Sequence, residues 1–313
     1  MEVLSTVQAL EQARAQWQGQ IGLIPTMGYL HEGHLSLFRR ARAENDVVVG
    51  SIFVNPTQFG PHEDLERYPR DLARDLHMLE ELGTDVVFVP SVAEMYPRGF
   101  TTYVVAEGPL VEAAEGATRP GLFRGVATVV LKLFQIVRPH HAYFGQKDAQ
   151  QAVVINRIVT DFNVPVQLHI LPIIREGDGL AMSSRNSYLD RAMRNAASVL
   201  YRALQAGKVQ FQQQSKLAVD PTGVQQVIQA MQGAVAQEPL VQLIYAEVRD
   251  ATSFLPLEIL QTPALLLIAA CVGDTRLIDN FYVRADGIWD EGVMVANIDE
   301  SRNKREEGSW TIK

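Results

Sequence analysis

His31 and His34 stand three residues apart, with Glu32 and Gly33 between them, in the stretch GYLHEGHL. Two imidazoles so placed could hold a metal, hold an anion, or pack. The zinc-protease pattern H-E-x-x-H has one residue more between its histidines and takes a third ligand from elsewhere, so HEGH lacks that spacing. A helix N-terminus offers free N–H groups and the positive end of a dipole, which suit phosphate. Gly33 in that turn lets a nucleotide approach the backbone closely. Taken alone, the pair stays open between nucleotide binding, a structural role and a metal.

Three other stretches carry chemistry. Met182-Ser183-Ser184-Arg185 follows the polar loop REGDG and sets two hydroxyls and a guanidinium in a row, a mobile phosphate clamp. By itself SSR is equally a helix cap. In Gly145-Gln146-Lys147-Asp148, Lys147 can neutralise phosphate charge, while Asp148 can cap a helix or accept from a ribose hydroxyl. A capped helix with a solvated lysine is the plain alternative. In FVNPTQF, Asn55 and Gln58 supply neutral hydrogen-bonding groups between aromatic residues, suited to a small polyol or hydroxy acid. The plain alternative there is an Asn-Pro turn with Gln58 on the surface.

The elements that must position these residues are legible upstream of each. Apolar runs at 21–25, 47–54, 85–89, 142–145 and 166–174 read as buried strands. Between them, 33–44, 71–82, 126–137 and 149–161 carry apolar residues at helical spacing. In the third, Val126, Val129, Val130, Leu133, Phe134 and Val137 share one face. Such alternation predicts an α/β fold: a Rossmann-like, mainly parallel sheet flanked by helices. Ligands then bind beyond the carboxyl ends of the strands, where the four motifs fall. Past residue 187 the pattern changes to helices at 190–206 and 221–237 and strands at 241–248, 264–272 and 276–283. We therefore expect a nucleotide-binding domain at 1–187, a smaller α+β lid domain at 188–283 and a peripheral extension at 284–313, where ESRNKREEGSW has little periodicity.

Bulk composition narrows the classes. The 313 residues are 47% hydrophobic and 20% charged, a globular composition. The net charge of −8 argues against nucleic acid or an anionic membrane as a partner. A single cysteine excludes a thiolate-rich zinc site and an intrachain disulfide. The N-terminus lacks a signal pattern, and no apolar run reaches the ~18 residues of a membrane helix, so the expected compartment is the cytoplasm.

A histidine motif after the first strand and a Met-Ser-Ser-basic loop after the last resemble the HIGH/KMSKS-type nucleotidyltransferases. With PTMGYLHEGHLSL, SIFVNPTQFG, RYPRDL, RPGLFRGVATVVLKLFQIVRP, FGQKDAQQ and DGLAMSSRNSYL in order, the chain resembles the pantothenate synthetase (pantoate–β-alanine ligase) family from about residue 20 to LIDN at 277–280. The resemblance implies a dimeric enzyme using ATP and Mg²⁺, which joins pantoate to AMP and then lets the β-alanine amine displace AMP.

It also implies roles. Thr26, Met27, His31, Gly33 and His34 line the nucleotide site, with His34 near the phosphates. Lys147, Ser183, Ser184 and Arg185 hold phosphate oxygens. Gly145 and Asp148 meet the ribose, and Ile174 and Met182 the adenine region. Asn55, Gln58 and Gln151, with Met27, bind pantoate. Arg119 and Tyr68 match further site positions, and Asp75 matches an acidic residue near the metal end. The chain departs from the family at Leu122, often histidine there, and from Phe281 onward, past the usual end. Three other readings give way. A transferase acting on a phosphorylated acceptor calls for extra cations beside Asn55, Gln58 and Gln151. A protein without turnover does not fit the full donor set, and a zinc hydrolase fails on spacing.

Overall fold

The computed structural model describes residues 1–215 and 221–295. These form two compact units: Met1–Gly145 with Val154–Leu171, and Gln146–Val153 with the described residues from 172 on.

The first unit holds β1 (Glu2–Leu4), β2 (Ile21–Thr26), β3 (Val47–Ile52), β4 (Val86–Phe88), β5 (His141–Gly145) and β6 (Gln167–Leu171). All pair parallel, in the order β1-β4-β3-β2-β5-β6. The helices are α1 (Val7–Arg14), α2 (Glu32–Glu44), α3 (Leu72–Glu81), α4 (Val92–Met95), α5 (Ala114–Thr118), α6 (Leu122–Val137) and α7 (Ala149–Asp161), the last divided between the units. The expected Rossmann-like sheet is present. Its strands are apolar along their length because helices cover both faces: Ile21, Leu23, Ile24, Val48 and Val49 are all essentially inaccessible. The expected face of α6 is buried, and the helix begins four residues earlier than its apolar period suggested. β1 and α1, absent from the expectation, add an edge strand beside β4. From β2 the order runs outward both ways, which makes β2 and β5 the switch point where such sheets bind ligands. HEGH follows β2, and the Lys147 turn follows β5.

The second unit contains β7 (Ile174–Arg175), α8 (Arg191–Ala197), α9 (Val199–Gln214), α10 (Gly223–Val235), β8 (Val241–Asp250), β9 (Ala264–Val272), β10 (Thr275–Val283), β11 (Trp289–Asp290) and β12 (Val293–Met294). Four strands form an antiparallel sheet, β11-β10-β9-β8. Leu200, Leu204, Phe211, Val227 and Met231 of α9 and α10 share one core with Leu266, Ile268 and Phe281 of the sheet. One expected helix, 190–206, is two, meeting at Ser198, which caps both. The compact units divide the chain elsewhere than the expected domains, since 146–153 and 172–187 fall with the antiparallel sheet. The expected peripheral extension supplies β11 and β12; two-residue strands are too short to show a period. Its remainder, 296–313, lies outside the described residues. Among those described, no helix is long and apolar enough to cross a membrane.

Candidate active site

In the first unit the site is built on the turn after β2. Thr26 Oγ1 donates to the Ser51 carbonyl at 2.8 Å and accepts from the Gly28 N–H at 3.2 Å. Gly28 (φ +80) and Tyr29 (φ +52) then carry the chain through the left-handed region. The N–H groups of Tyr29 and Leu30 donate to the two Asp75 oxygens at 2.6 and 2.8 Å. Asp75 is 1% exposed, and its burial pushes the carboxyl pKa up against those two bonds. The resemblance set Asp75 near the substrate and metal end; in the structure both its oxygens accept from the turn that leads to His31.

His31 is the N-cap residue of α2, and Gly33 lies in the first turn. The His34 Nδ1 accepts from the His31 N–H at 3.4 Å, and the two rings lie 4.1 Å apart. A neutral His34 with Nδ1 accepting carries its proton on Nε2, where it can donate to an anionic oxygen. The aromatic pair thus orients a donor at the positive end of a helix. Among the described residues no group of three His, Cys, Asp or Glu is placed to hold a metal ion.

After β3, Asn55 caps the short turn Pro56–Gln58. It is 1% exposed and its amide is fully committed. Oδ1 accepts from the Thr57 N–H, the Thr57 hydroxyl and the Tyr96 hydroxyl at 3.2, 2.8 and 2.9 Å. Nδ2 donates to Gln58 Oε1 at 2.9 Å and to the Gly125 carbonyl at 3.2 Å. Asn55 therefore fixes the face Gln58 presents. Gln58 Nε2 points to Met27 Sδ at 3.3 Å, a weak acceptor that a substrate oxygen can outcompete. A Cβ on Gly125 would lie 2.4 Å from the Thr57 carbonyl oxygen, so α6 meets this turn only because Gly125 has no side chain. Arg119 closes the far side, bidentate to Glu63 at 2.7 and 2.6 Å and donating to the Gln58 carbonyl at 3.3 Å. Tyr68 is buried edge-on to Phe59. Leu122 opens α6 as a buried apolar residue.

In the second unit, the turn Gln146–Asp148 is held by Asn280 of β10. Its Nδ2 donates to the carbonyls of Gln146 and Lys147 at 3.0 Å each, and Gln146 Nε2 donates back to Asn280 Oδ1 at 3.2 Å. Lys147 Nζ stands 4.0 Å from Asp148 Oδ1, and Gln151 is half-buried on α7. The Met182 N–H donates to the Ile174 carbonyl at 2.9 Å, and Arg175 bridges Ala181, so the chain from Ile174 to Met182 is a tight hairpin. Arg194 pins its tip through Glu176 and Asp178, lowering the Asp178 carboxyl pKa. Ser183 Oγ accepts from the Arg185 N–H at 3.3 Å, so this serine does cap the following turn, and buried Ser184 sits within it. Arg175 is wholly buried and bidentate to Asp279 at 2.6 and 2.8 Å.

Of the expected site residues, Thr26, Met27, His31, Gly33, His34, Asn55, Gln58, Tyr68, Asp75, Arg119 and Gly145 lie in the first unit. Lys147, Asp148, Gln151, Ile174, Met182, Ser183, Ser184 and Arg185 lie in the second. Sequence reasoning missed Tyr96, Glu63, Arg175, Asp279 and Arg194. Only LIDN, the last matched block, pointed toward Asp279 and Asn280.

A family model described as pantoate-beta-alanine ligase matches residues 2–282. The pantothenate synthetase of Roseiflexus sp. (strain RS-1) is 54% identical over 285 residues, 91% of this chain and 100% of that protein. That of Moorella thermoacetica is 52% identical over 283 residues, 90% of this chain and 98% of that protein. The crystal structure of pantothenate synthetase from Thermus thermophilus superposes with a TM-score of 0.84 at 47% identity, covering 91% of this chain and 100% of that one. A pantoate-beta-alanine ligase from Francisella tularensis, complexed with beta-gamma ATP and beta-alanine, gives 0.72 at 32% identity over 90% of this chain and 97% of that one. The ordered motifs, the parallel sheet and these likenesses agree: the chain belongs to the pantoate-beta-alanine ligase family.

Proposed function

We propose that the chain condenses pantoate with β-alanine in two steps through a pantoyl-adenylate. The observation that carries this reading is the family match over 2–282, which spans every turn described above. In the first step the pantoate carboxylate attacks the α-phosphorus of ATP and pyrophosphate leaves. A carboxylate is already ionised at neutral pH, so no base is required and the work is positioning and charge stabilisation. His34 Nε2–H, Lys147, Ser183, Ser184 and Arg185 meet the phosphate oxygens. Thr26, Met27, His31, Gly33, Gly145, Asp148, Ile174 and Met182 seat the nucleoside. In the second step the neutral amine of β-alanine attacks the acyl carbon and AMP departs.

Gln58 and Gln151 bind pantoate, with Asn55 acting through Gln58. Neutral amides suit a hydroxy acid because they orient its hydroxyls without pairing its carboxylate. Mg²⁺ fits the donor set as an ion that arrives on the ATP phosphates, since it commonly keeps several waters and few protein ligands. It would neutralise phosphate charge there. Asp75, its oxygens already accepting two N–H groups, holds the loop. Residues 1–187 serve nucleotide and pantoate, and 188–283 serve as the lid; the active form is a cytoplasmic homodimer.

The test is incubation with ATP, Mg²⁺ and pantoate but no amine, followed by mass spectrometry. A bound acyl-adenylate is expected, at least ~100-fold less of it in Lys147→Ala, a loss on the scale of removing one preorganised donor. Absence of adenylate in the wild type, or near-normal turnover by the variant, overturns the assignment.

A further inference from the structure

Residues past Val283 lie outside the family match, which ends at 282. Among the described residues, β12 makes the only strand ladder that β7 has. The pair is parallel, Val293 opposite Ile174 and Met294 opposite Arg175. The Val293 N–H donates to the Ile173 carbonyl at 2.7 Å. The Glu291 carbonyl accepts from Arg175 Nε. Arg175 gives its other donors to Asp279, to the Asn280 carbonyl at 3.2 Å and to the Gly179 carbonyl at 2.9 Å in the hairpin turn. A wholly buried guanidinium thus reaches the hairpin on one side and the segment on the other. Losing the Glu291 carbonyl would strand a buried N–H, a cost above that of an ordinary lost hydrogen bond.

The segment is itself fastened. Glu291 pairs with Lys208 and accepts from Gln205 Nε2 at 2.5 Å. The Trp289 ring lies edge-on to Phe211 at 5.3 Å. At Gly292 (φ +88) an added Cβ would sit 2.4 Å from the Ile173 carbonyl oxygen and 2.8 Å from Arg175 Nε, so no side chain is admitted. This close, side-chain-free approach is built to seat the strap on β7.

We propose that residues 289–294 are a positioning strap for ATP. They hold β7, and through the Ile174–Met182 and Arg175–Ala181 pairings they set the register of the loop that presents Met182 to Arg185. The inference rests on the reading of that loop as nucleotide-binding.

The experiment uses the full chain with Gly292→Ala and Val293→Pro, which lift the strap while leaving every residue assigned to binding in place. Exposed Ile288→Ala is the control from the same segment. Steady-state KM is measured for ATP, pantoate and β-alanine, with hydrogen exchange to report release of 289–294. The expected result is a KM for ATP raised about tenfold in both variants, the other two KM values within twofold, and Ile288→Ala like wild type. Should either variant fail to fold, Glu291→Gln, which keeps the ladder, is expected to raise the KM for ATP about threefold. An unchanged KM for ATP with the strap released overturns the proposal. So does a uniform fall in activity toward all three substrates, the mark of a merely structural element. A wild type that does not turn over ATP overturns the parent reading and this one with it, which separates the two failures.

Discussion

The two compact units immobilise their functional turns by opposite means. The first uses neutral groups and backbone amides for what it buries, with its ion pair part-exposed: the Tyr96 hydroxyl and the amides of Asn55 and Gln58 chain together, the buried carboxylate of Asp75 is held by backbone N–H groups, and the Arg119–Glu63 pair keeps part of its surface in water. The second sets a full ion pair, Arg175 with Asp279, at no more than 2% exposure, with the guanidinium against the aromatic rings of Tyr201 and Phe281. Neutral networks are cheap to desolvate and leave a fixed pattern of donors. A buried ion pair is costly to desolvate and costlier to break, so it serves where one arrangement must be enforced. The hairpin from Ile174 to Met182 is such a place.

That contrast can be broken. Arg175→Met leaves Asp279 as an uncompensated buried charge and should cost ~3–5 kcal/mol in urea denaturation; adding Asp279→Leu should recover much of it. A single-variant loss below about 1 kcal/mol would show that the charge is no anchor. The neutral side should yield less: Tyr96→Phe removes one donor to Asn55, worth ~1 kcal/mol, and should raise the KM for pantoate about fivefold while leaving that for ATP unaltered. Equal shifts in both would deny the separation of roles.

A third effect, confined to a pH window, concerns Asp290 in the strap. Burial raises its carboxyl to about 6, with Arg175 and Arg284 opposing and Glu291 adding to the shift. Between its ordinary value near 4 and about 6 the folded chain binds more protons than the unfolded one. Stability therefore falls as pH rises through that window. Asp290→Asn should flatten that slope, as followed by thermal melts across the window; an unchanged slope would place the titration elsewhere.

Much of this was legible in the sequence, for a physical reason. A strand covered on both faces is apolar throughout, so β2, β3, β5 and β6 announce themselves, and the four motifs fall just past strand ends. Local patterns also carried His31, His34 and Ser183 to their turns. What stayed hidden is what acts at a distance. Arg175 and Asp279 are 104 residues apart, and nothing near either marks the other as its partner. Asn55 read as a ligand because its type suits one, and nothing local showed that both ends of its amide are taken up by internal hydrogen bonds. Asp75 was named only through the resemblance, and the N–H groups it accepts from, those of Tyr29 and Leu30, lie 46 and 45 residues away along the chain. The strap was illegible because two-residue strands have no period.

The bare backbone contact at Gly125 has one more consequence. Helix α6 buries most of its sixteen residues, so its first turns are as unyielding as the core. Through Gly125 that stiffness is transmitted to Thr57 and Gln58 with no flexible side chain between. A turn backed in this way cannot swell: whatever meets Gln58 meets a fixed wall.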